Sequence, residues 1–198
     1  MGNANSLNEC KATVLKTRRF YFRTLKESDA SKTYLSWLHD PEISKMLLTD
    51  TASYTILDLK NFILEHDNKT KFLFGIFSKD GSLIGTHSLK FFPDERYAGF
   101  GVMIGDREYW GESVPLETRE CVLRWAFKVL KCERVIGMCL SINRASIFNY
   151  KIQGWRRDYV EKKYCLIDGD EVDMIHFSLT SDDFTKLMVD SDSADRLL

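Results

Sequence analysis

A strand, a short loop and an amphipathic helix follow one another in the middle of the chain. Residues 98–105 are small or branched and predict an extended segment, whereas residues 116–131 have the apolar spacing of a helix. Gly111 gives the intervening backbone the freedom to turn tightly, and Pro115 suits a helix start because no intrahelical N–H bond is lost there. The free N–H groups of such a loop, with the positive end of the helix dipole, favour binding of a phosphate or pyrophosphate.

A second segment, residues 143–155, follows another apolar strand predicted at residues 134–142. Its polar, aromatic and glycine residues have a fixed spacing: Asn143, Ser146, Tyr150, Gly154 and Trp155. Together with the first loop, it resembles the two acetyl-CoA signatures of the GNAT superfamily of N-acetyltransferases. There a pyrophosphate loop reads Gln/Arg-x-x-Gly-x-Gly/Ala, and the later signature reads Asn-x-x-Ser, a Tyr four positions on, then Gly-Phe.

Residues 37–43, Trp-Leu-His-Asp-Pro-Glu-Ile, look like the Trp-Leu-Asn-Asp-Pro-Glu-Val element of one branch of that superfamily. The branch holds ribosomal-protein alanine, spermidine and bacterial amino-sugar acetyltransferases. The resemblance implies an α/β (α+β) GNAT fold, with a central mixed, mostly antiparallel sheet flanked by helices on both faces. Two strands of that sheet splay apart, and the pantetheine arm of acetyl-CoA enters the gap.

The order of the predicted elements agrees with this fold: strand, helices, antiparallel meander, helix, strand, helix and hairpin. An Asp-Gly turn at residues 80–81 leads into a strand predicted at residues 83–92, the final hairpin is predicted at residues 160–166 and 172–179, and a last turn at residues 181–186. The chain has 198 residues, which is enough for one sizeable core and too few for two domains of comfortable size. We therefore expect a flexible leader at residues 1–12, a single domain at residues 13–187 and a flexible acidic tail at residues 188–198.

Composition excludes several classes of protein. A net charge of −1 argues against a general nucleic-acid binder, which usually has a clear basic excess. No run approaches the roughly 20 apolar residues of a membrane helix, and no His/Cys/Asp spacing suggests a metal site. The five cysteines form no Cys-x-x-Cys pair, as expected of a reducing compartment and a cytoplasmic protein. Met1-Gly2 matches a loose myristoylation pattern, with a simple leader as the alternative.

The resemblance implies where acetyl-CoA binds. Backbone groups of the strand would contact the pantetheine arm, at Met103, Ile104 and Gly105. Asn143 would bond the same arm, and Ser146 would cap the following helix. Glu108 departs from the usual Gln or Arg of the loop pattern, and Ser113 from its Gly or Ala. The pyrophosphate would be held mainly by backbone donors of five successive residues: Trp110, Gly111, Glu112, Ser113 and Val114.

Two catalytic groups are needed for transfer to an amine. Tyr150 is expected to be the general acid that protonates the leaving thiolate, with a half-buried packing role as its alternative. A base must also take a proton from the amine. His87 is the tentative base, although its position on an apolar strand favours a core histidine. Asp94, Glu95 and Glu117 are further candidates, with Glu117 also suited to a helix first turn.

The acceptor side is expected at Trp37, His39, Asp40 and Glu42. Asp40 or Glu42 would attract an ammonium group, or would simply stop one helix and open the next. The sequence thus predicts a monomeric or homodimeric N-acetyltransferase that moves acetyl groups directly from acetyl-CoA to a primary amine. A nucleotide-linked amino sugar is the favoured acceptor. A protein N-terminus and a polyamine remain open, as does a non-catalytic acyl-CoA-binding module.

Overall fold

The structure is a computed structural model that describes residues 14–47 and 49–194. The leader predicted at residues 1–12 lies outside the described residues, as does the end of the predicted tail, residues 195–198. The chain groups into two compact units. The first unit comprises the chain up to Lys90 together with Gly101–Val122, and the second comprises Phe91–Phe100 with the chain from Leu123 onward. The single domain over residues 13–187 stays a prediction.

Among the described residues, eight strands form one mixed sheet in the order β1-β2-β3-β4-β5-β6-β8-β7. β5 and β6 are parallel, whereas the pairs β1–β2, β2–β3, β3–β4, β6–β8 and β7–β8 are antiparallel. The mixed, mostly antiparallel sheet predicted from the sequence is therefore confirmed. The strands are β1 (Leu15–Lys16), β2 (Phe20–Thr24), β3 (Lys71–Ser78), β4 (Leu83–Phe92), β5 (Tyr97–Ile104), β6 (Arg134–Leu140), β7 (Arg156–Ile167) and β8 (Asp170–Thr180).

The helices begin and end where the sequence has capping residues. Ser31 accepts the Tyr34 N–H at the start of α1, and Thr55 accepts the Asp58 N–H at the start of α3. Asp40 ends α1 and caps α2, whose first residue is Pro41. The helices are α1 (Lys32–His39), α2 (Pro41–Ser44), α3 (Ile56–Leu64), α4 (Val114–Trp125), α5 (Arg144–Ile152) and α6 (Ser181–Ala194), and the described helices include none long and apolar enough to cross a membrane.

In the first unit, the core lies where α1 and α3 pack on the sheet. Trp37 from α1 packs directly on Gly105, just after the end of β5. A Cβ added at Gly105 would lie 1.9 Å from Cδ2 of Trp37, so only glycine leaves room for the indole. The buried side chains of this cluster are Leu25, Tyr34, Trp37, Leu38, Ile43, Leu59, Ile63, Leu73 and Phe77.

In the second unit, β7 and β8 make a hairpin that is longer than the strands predicted at residues 160–166 and 172–179. The charged residues at 156–158 give no strand signal at the start of β7, because an edge strand exposed to solvent carries no apolar alternation. α6 is also longer than the turn predicted at residues 181–186. Thr180 accepts the Asp183 N–H at its start, and Phe184 packs 5.3 Å from Phe127.

Candidate active site

The loop before α4 turns through two residues with positive φ, Gly111 at 82° and Ser113 at 56°. The Ser113 carbonyl accepts the N–H groups of Leu116 and Glu117, at 3.0 and 3.3 Å, and so starts the helix at Val114. In the part of the chain that the structure describes, the N–H groups of Gly111, Ser113 and Val114 make no hydrogen bond. Free donors at a helix start are suited to binding a phosphate or pyrophosphate group.

Arg19 braces this loop and the first turn of α4. Its Nε donates to Glu117 Oε2 at 2.7 Å, its backbone N–H donates to Glu117 Oε1 at 2.9 Å, and its Nη2 donates to the Glu112 carbonyl at 2.7 Å. Burial opposes ionisation of Glu117, but the hydrogen bonds from Arg19 and Thr17 together outweigh it, so the Glu117 pKa is lowered. Glu117 is therefore a paired carboxylate of the first helical turn.

The end of β5 is covered by the indole of Trp110. Its Nε1 donates to the Ile104 carbonyl at 2.9 Å, and the guanidinium of Arg107 lies 4.8 Å from the ring centroid. The N–H groups of Gly105 and Asp106 both donate to the Ile84 carbonyl at 3.0 Å. Two of the backbone groups predicted to contact pantetheine, at Ile104 and Gly105, thus have partners within the protein.

Arg107 also joins the two carboxylates of the predicted acceptor region. Its Nη2 lies 2.7 Å from Asp40 Oδ2 and 2.5 Å from Glu42 Oε2. The hydrogen bond from Arg107, with the backbone N–H of Glu42, lowers the pKa of Asp40. Asp40 and Glu42 are therefore partly neutralised, which weakens their attraction for an ammonium group. The nearby His39 Nε2 lies 2.8 Å from the Tyr54 carbonyl.

Removing the guanidinium should free Asp40. In the Arg107→Gln variant we expect the Asp40 pKa to rise toward the ordinary range of aspartate, because its main hydrogen-bond donor is lost. Carboxyl NMR titration measures this directly. Asp58 is the internal control, since Thr55 lowers its pKa without any help from Arg107. An unchanged Asp40 titration would show that the backbone N–H groups of Glu42 and Ile43 are enough to keep the Asp40 pKa low.

His87 lies in the interior of the first unit with no exposed surface. Its Nε2 lies 2.9 Å from Thr118 Oγ1, and that hydroxyl donates to the Val114 carbonyl at 2.7 Å. Burial, followed by the charge of Arg119, lowers the His87 pKa to about 3. The surroundings are those of the core histidine considered as the alternative, and we do not propose His87 as the base.

The second signature lies in the second unit, where α5 follows β6. The side chain of Asn143 caps α5 by accepting the Ser146 N–H at 3.0 Å. The cap is therefore Asn143 and not Ser146, because Asn143 precedes the helix whereas Ser146 lies in its first turn. Asp94 and Glu95 lie exposed in the turn between β4 and β5.

Tyr150 is 3% exposed and is held by three neighbours. Its ring stacks on Phe177 with centroids 4.4 Å apart and meets the edge of Trp155 at 5.0 Å. A Cβ added at Gly137 of β6 would lie 2.4 Å from the Tyr150 hydroxyl oxygen. The phenol therefore lies directly against the backbone of β6, and only glycine at position 137 allows this approach.

A family model described as an acetyltransferase (GNAT) domain matches residues 19–150, which is about two thirds of the chain. No curated protein sequence matches the chain. Among solved structures, the chain is similar to a ribosomal-protein-S5-alanine acetyltransferase from Vibrio fischeri, with a TM-score of 0.74 and 21% identity over 87% of this chain and 98% of that one.

Two further structures contain coenzyme A. One is a spermidine N-acetyltransferase from Vibrio cholerae in complex with CoA and spermine, with a TM-score of 0.77 and 15% identity over 84% of this chain and 98% of that one. The other is a ribosomal L7/L12 alpha-N-protein acetyltransferase in complex with coenzyme A, with a TM-score of 0.77 and 15% identity over 86% and 99%. At these identities the structural similarity establishes the fold alone.

Proposed function

Because the chain belongs to the GNAT acetyltransferase family, as an N-acetyltransferase that uses acetyl-CoA, we propose that it acts by direct transfer on the primary amine of a small molecule. A nucleotide-linked amino sugar is the acceptor that we favour within this class. The free backbone donors at Gly111, Ser113 and Val114 support binding of acetyl-CoA, and the pairing of Arg107 with Asp40 and Glu42 is the observation that carries the choice of acceptor.

Acetyl-CoA supplies the acetyl group as a thioester. The N–H groups of the loop would hold its pyrophosphate. Gly111 suits this role because the space beside its Cα is open: an added Cβ would meet no atom within 4 Å. The positive φ is the reason that glycine is favoured at this position. Met103 and the residues after it would lie along the pantetheine arm. Asn143 is already committed to capping α5, so any bond to pantetheine would come from its remaining side-chain N–H groups.

Tyr150 would act as the general acid, at its hydroxyl. A buried phenol held by Phe177 and Trp155 keeps a single orientation, which favours proton donation at one place. The close approach of the hydroxyl to Gly137 sets its position along β6. The first-unit residues Trp37, His39, Asp40 and Glu42 would border the acceptor.

The pairing of Arg107 with Asp40 and Glu42 bears on the choice of acceptor. A polyamine carries several cationic groups and needs several free carboxylates. Here two of the carboxylates that could bind it share one guanidinium. This favours an acceptor with a single amine, either a small molecule or, as the alternative, a protein N-terminus of the kind that some relatives acetylate.

Titration calorimetry with acetyl-CoA, followed by a thiol-release assay on three acceptors, tests the proposal. The acceptors are a nucleotide-linked amino sugar, spermidine and a short peptide with a free N-terminus. Binding of acetyl-CoA with turnover on the amino sugar supports the proposal. Turnover on only the peptide or only spermidine would make that compound the acceptor in place of the amino sugar. Binding without turnover on any amine favours a non-catalytic acyl-CoA-binding module, which the departure at Glu108 from the family pattern also allows.

A further inference from the structure

In the second unit, the two faces of the sheet carry different chemistry. Gly137 of β6 is opposite Phe177 of β8, and both contact Tyr150. The next residue of β6, Met138, is opposite His176. Because successive side chains of a strand point to opposite faces, His176 lies on the face away from Tyr150, one residue along the same two strands.

His176 is held between two residues of β7. Its Nε2 lies 3.4 Å from Glu161 Oε2, and its ring stacks on Tyr159 with centroids 4.1 Å apart and an interplanar angle of 12°. An Nε2–H that donates to Glu161 leaves the lone pair of the imidazole on Nδ1. Within the described residues, Nδ1 of His176 makes no hydrogen bond, and the side chain is 17% exposed. An imidazole that is oriented by a carboxylate through one nitrogen can accept a proton at the other nitrogen.

Glu161 is the carboxylate that remains available to a cation. Its side chain is 51% exposed, and its ion pair within the described chain is with His176. By contrast, Asp158 on the same strand is paired with Arg156 at 2.8 Å and accepts the Ser178 hydroxyl at 3.0 Å. The Glu161 carboxylate on this face is therefore open to an ammonium group.

The cluster of His176, Glu161 and Tyr159 lies next to the part of β6 that is not paired with β5. The parallel register between β6 and β5 ends at Gly137, one residue before Met138. Tyr150 lies against one face of β6 at Gly137, and His176 lies beside the other face at Met138. The exposed thioether of Met138, 41% accessible, lies beside His176 and gives this face an apolar border.

We propose that His176, oriented by Glu161, is the base that accepts a proton from the acceptor's ammonium group; this inference rests on the proposed function. Nδ1 of His176 takes one proton, and the amine nitrogen then forms the C–N bond with the acetyl carbon. The C–S bond breaks, its electron pair stays on sulfur, and Tyr150 protonates that sulfur. The second amine proton returns to Tyr150 through solvent, and His176 releases its own proton to water.

The His176→Gln variant tests this assignment. Glutamine can keep a hydrogen bond to Glu161 but cannot take up a proton. We expect kcat/KM for the amine to fall about 10²- to 10⁴-fold and its acidic limb to disappear from the pH profile, with the acetyl-CoA Kd unchanged. The charged groups that share the face, Glu161, Arg134 and the Arg156–Asp158 pair, stay in place in this variant, as does the Tyr159 phenol. His66→Gln is the matched control, because His66 bonds the Phe62 carbonyl within its own helical segment.

A second readout does not depend on turnover. The chain has four histidines, so their imidazole NMR signals can be assigned from single variants. Adding the amine that the wild-type protein acetylates, without acetyl-CoA, should shift the His176 signal and leave the His66 signal in place. Glu161→Gln, an exposed substitution that leaves folding intact, should weaken both the shift and kcat/KM.

The outcomes separate the two proposals. If the wild-type protein neither binds acetyl-CoA nor acetylates any amine, the proposed function fails. If the wild-type protein is active and His176→Gln keeps its kcat/KM and acidic limb, the assignment of His176 is overturned and the proposed function stands. Loss of activity in His176→Gln together with an unshifted His176 signal would also overturn the role at the acceptor.

Discussion

The Tyr150→Phe variant should bind acetyl-CoA as tightly as the wild-type protein and release thiol about 10²- to 10⁴-fold more slowly. The substitution removes only the hydroxyl. The ring that stacks on Phe177 and meets Trp155 remains, so the packing around α5 is kept. The expected loss is in kcat, because the proton is needed as the thiolate leaves and not when the substrates bind. Calorimetry and a thiol-release assay measure the two quantities separately.

Tyr164→Phe provides the matched control. Tyr164 is 43% exposed on β7, and losing its hydroxyl should change neither binding nor turnover. Unchanged turnover in Tyr150→Phe would remove Tyr150 as the acid and leave it as a packing residue. A parallel loss of acetyl-CoA binding and of thermal stability would point to the same packing role, since the hydroxyl lies against the backbone at Gly137.

The second large effect is a loss of stability as the pH falls from 6.5 toward 5. Burial, then the charge of Arg119, holds the folded-state pKa of His87 at about 3, whereas an unfolded histidine titrates near 6.5. Below pH 6.5 the unfolded chain therefore binds a proton at His87, whereas the folded chain does not. The free energy of unfolding should decrease by up to about 1.4 kcal/mol per pH unit from this group, or about 2 kcal/mol by pH 5.

Urea unfolding at several pH values measures this slope in the wild-type protein and in His87→Gln. The variant should be less stable at pH 7.5 but should lose less stability between pH 6.5 and 5. The window lies above the unfolded pKa of aspartate and glutamate, so the carboxylates with lowered pKa contribute little there. His66 also has a pKa lowered by burial and should account for a remaining slope in both proteins. Identical slopes would show that His87 is protonated in the folded state.

Local sequence was enough to predict the loop and several of the strands. Gly111 and the run before it required a turn between a strand and a helix, and the structure has that turn with a positive φ at Gly111. The Asp-Gly turn at residues 80–81 joins β3 and β4, and β4 spans the predicted residues 83–92. These features depend on the backbone preferences of a few neighbouring residues, which any reader of the sequence can assess.

The side-chain partners could not be predicted in this way. Arg107 reaches Asp40, 67 positions earlier, and Arg19 reaches Glu117, 98 positions later. Nothing in the local pattern around either arginine marks these pairs. The cluster of His176, Glu161 and Tyr159 could not be predicted either, because it forms only when β7 and β8 pair in one particular register.

The sequence by itself determined the order of elements, the loop before α4 and the family signatures, because each depends on residues close together in the chain. Only the tertiary structure decided that His87 is neutral and buried, that Asp40 shares a guanidinium with Glu42, and that Tyr150 lies against Gly137. The physical reason is that burial and electrostatic pairing are set by residues from distant parts of the chain. Protonation states, and the chemistry that follows from them, are therefore properties of the folded molecule.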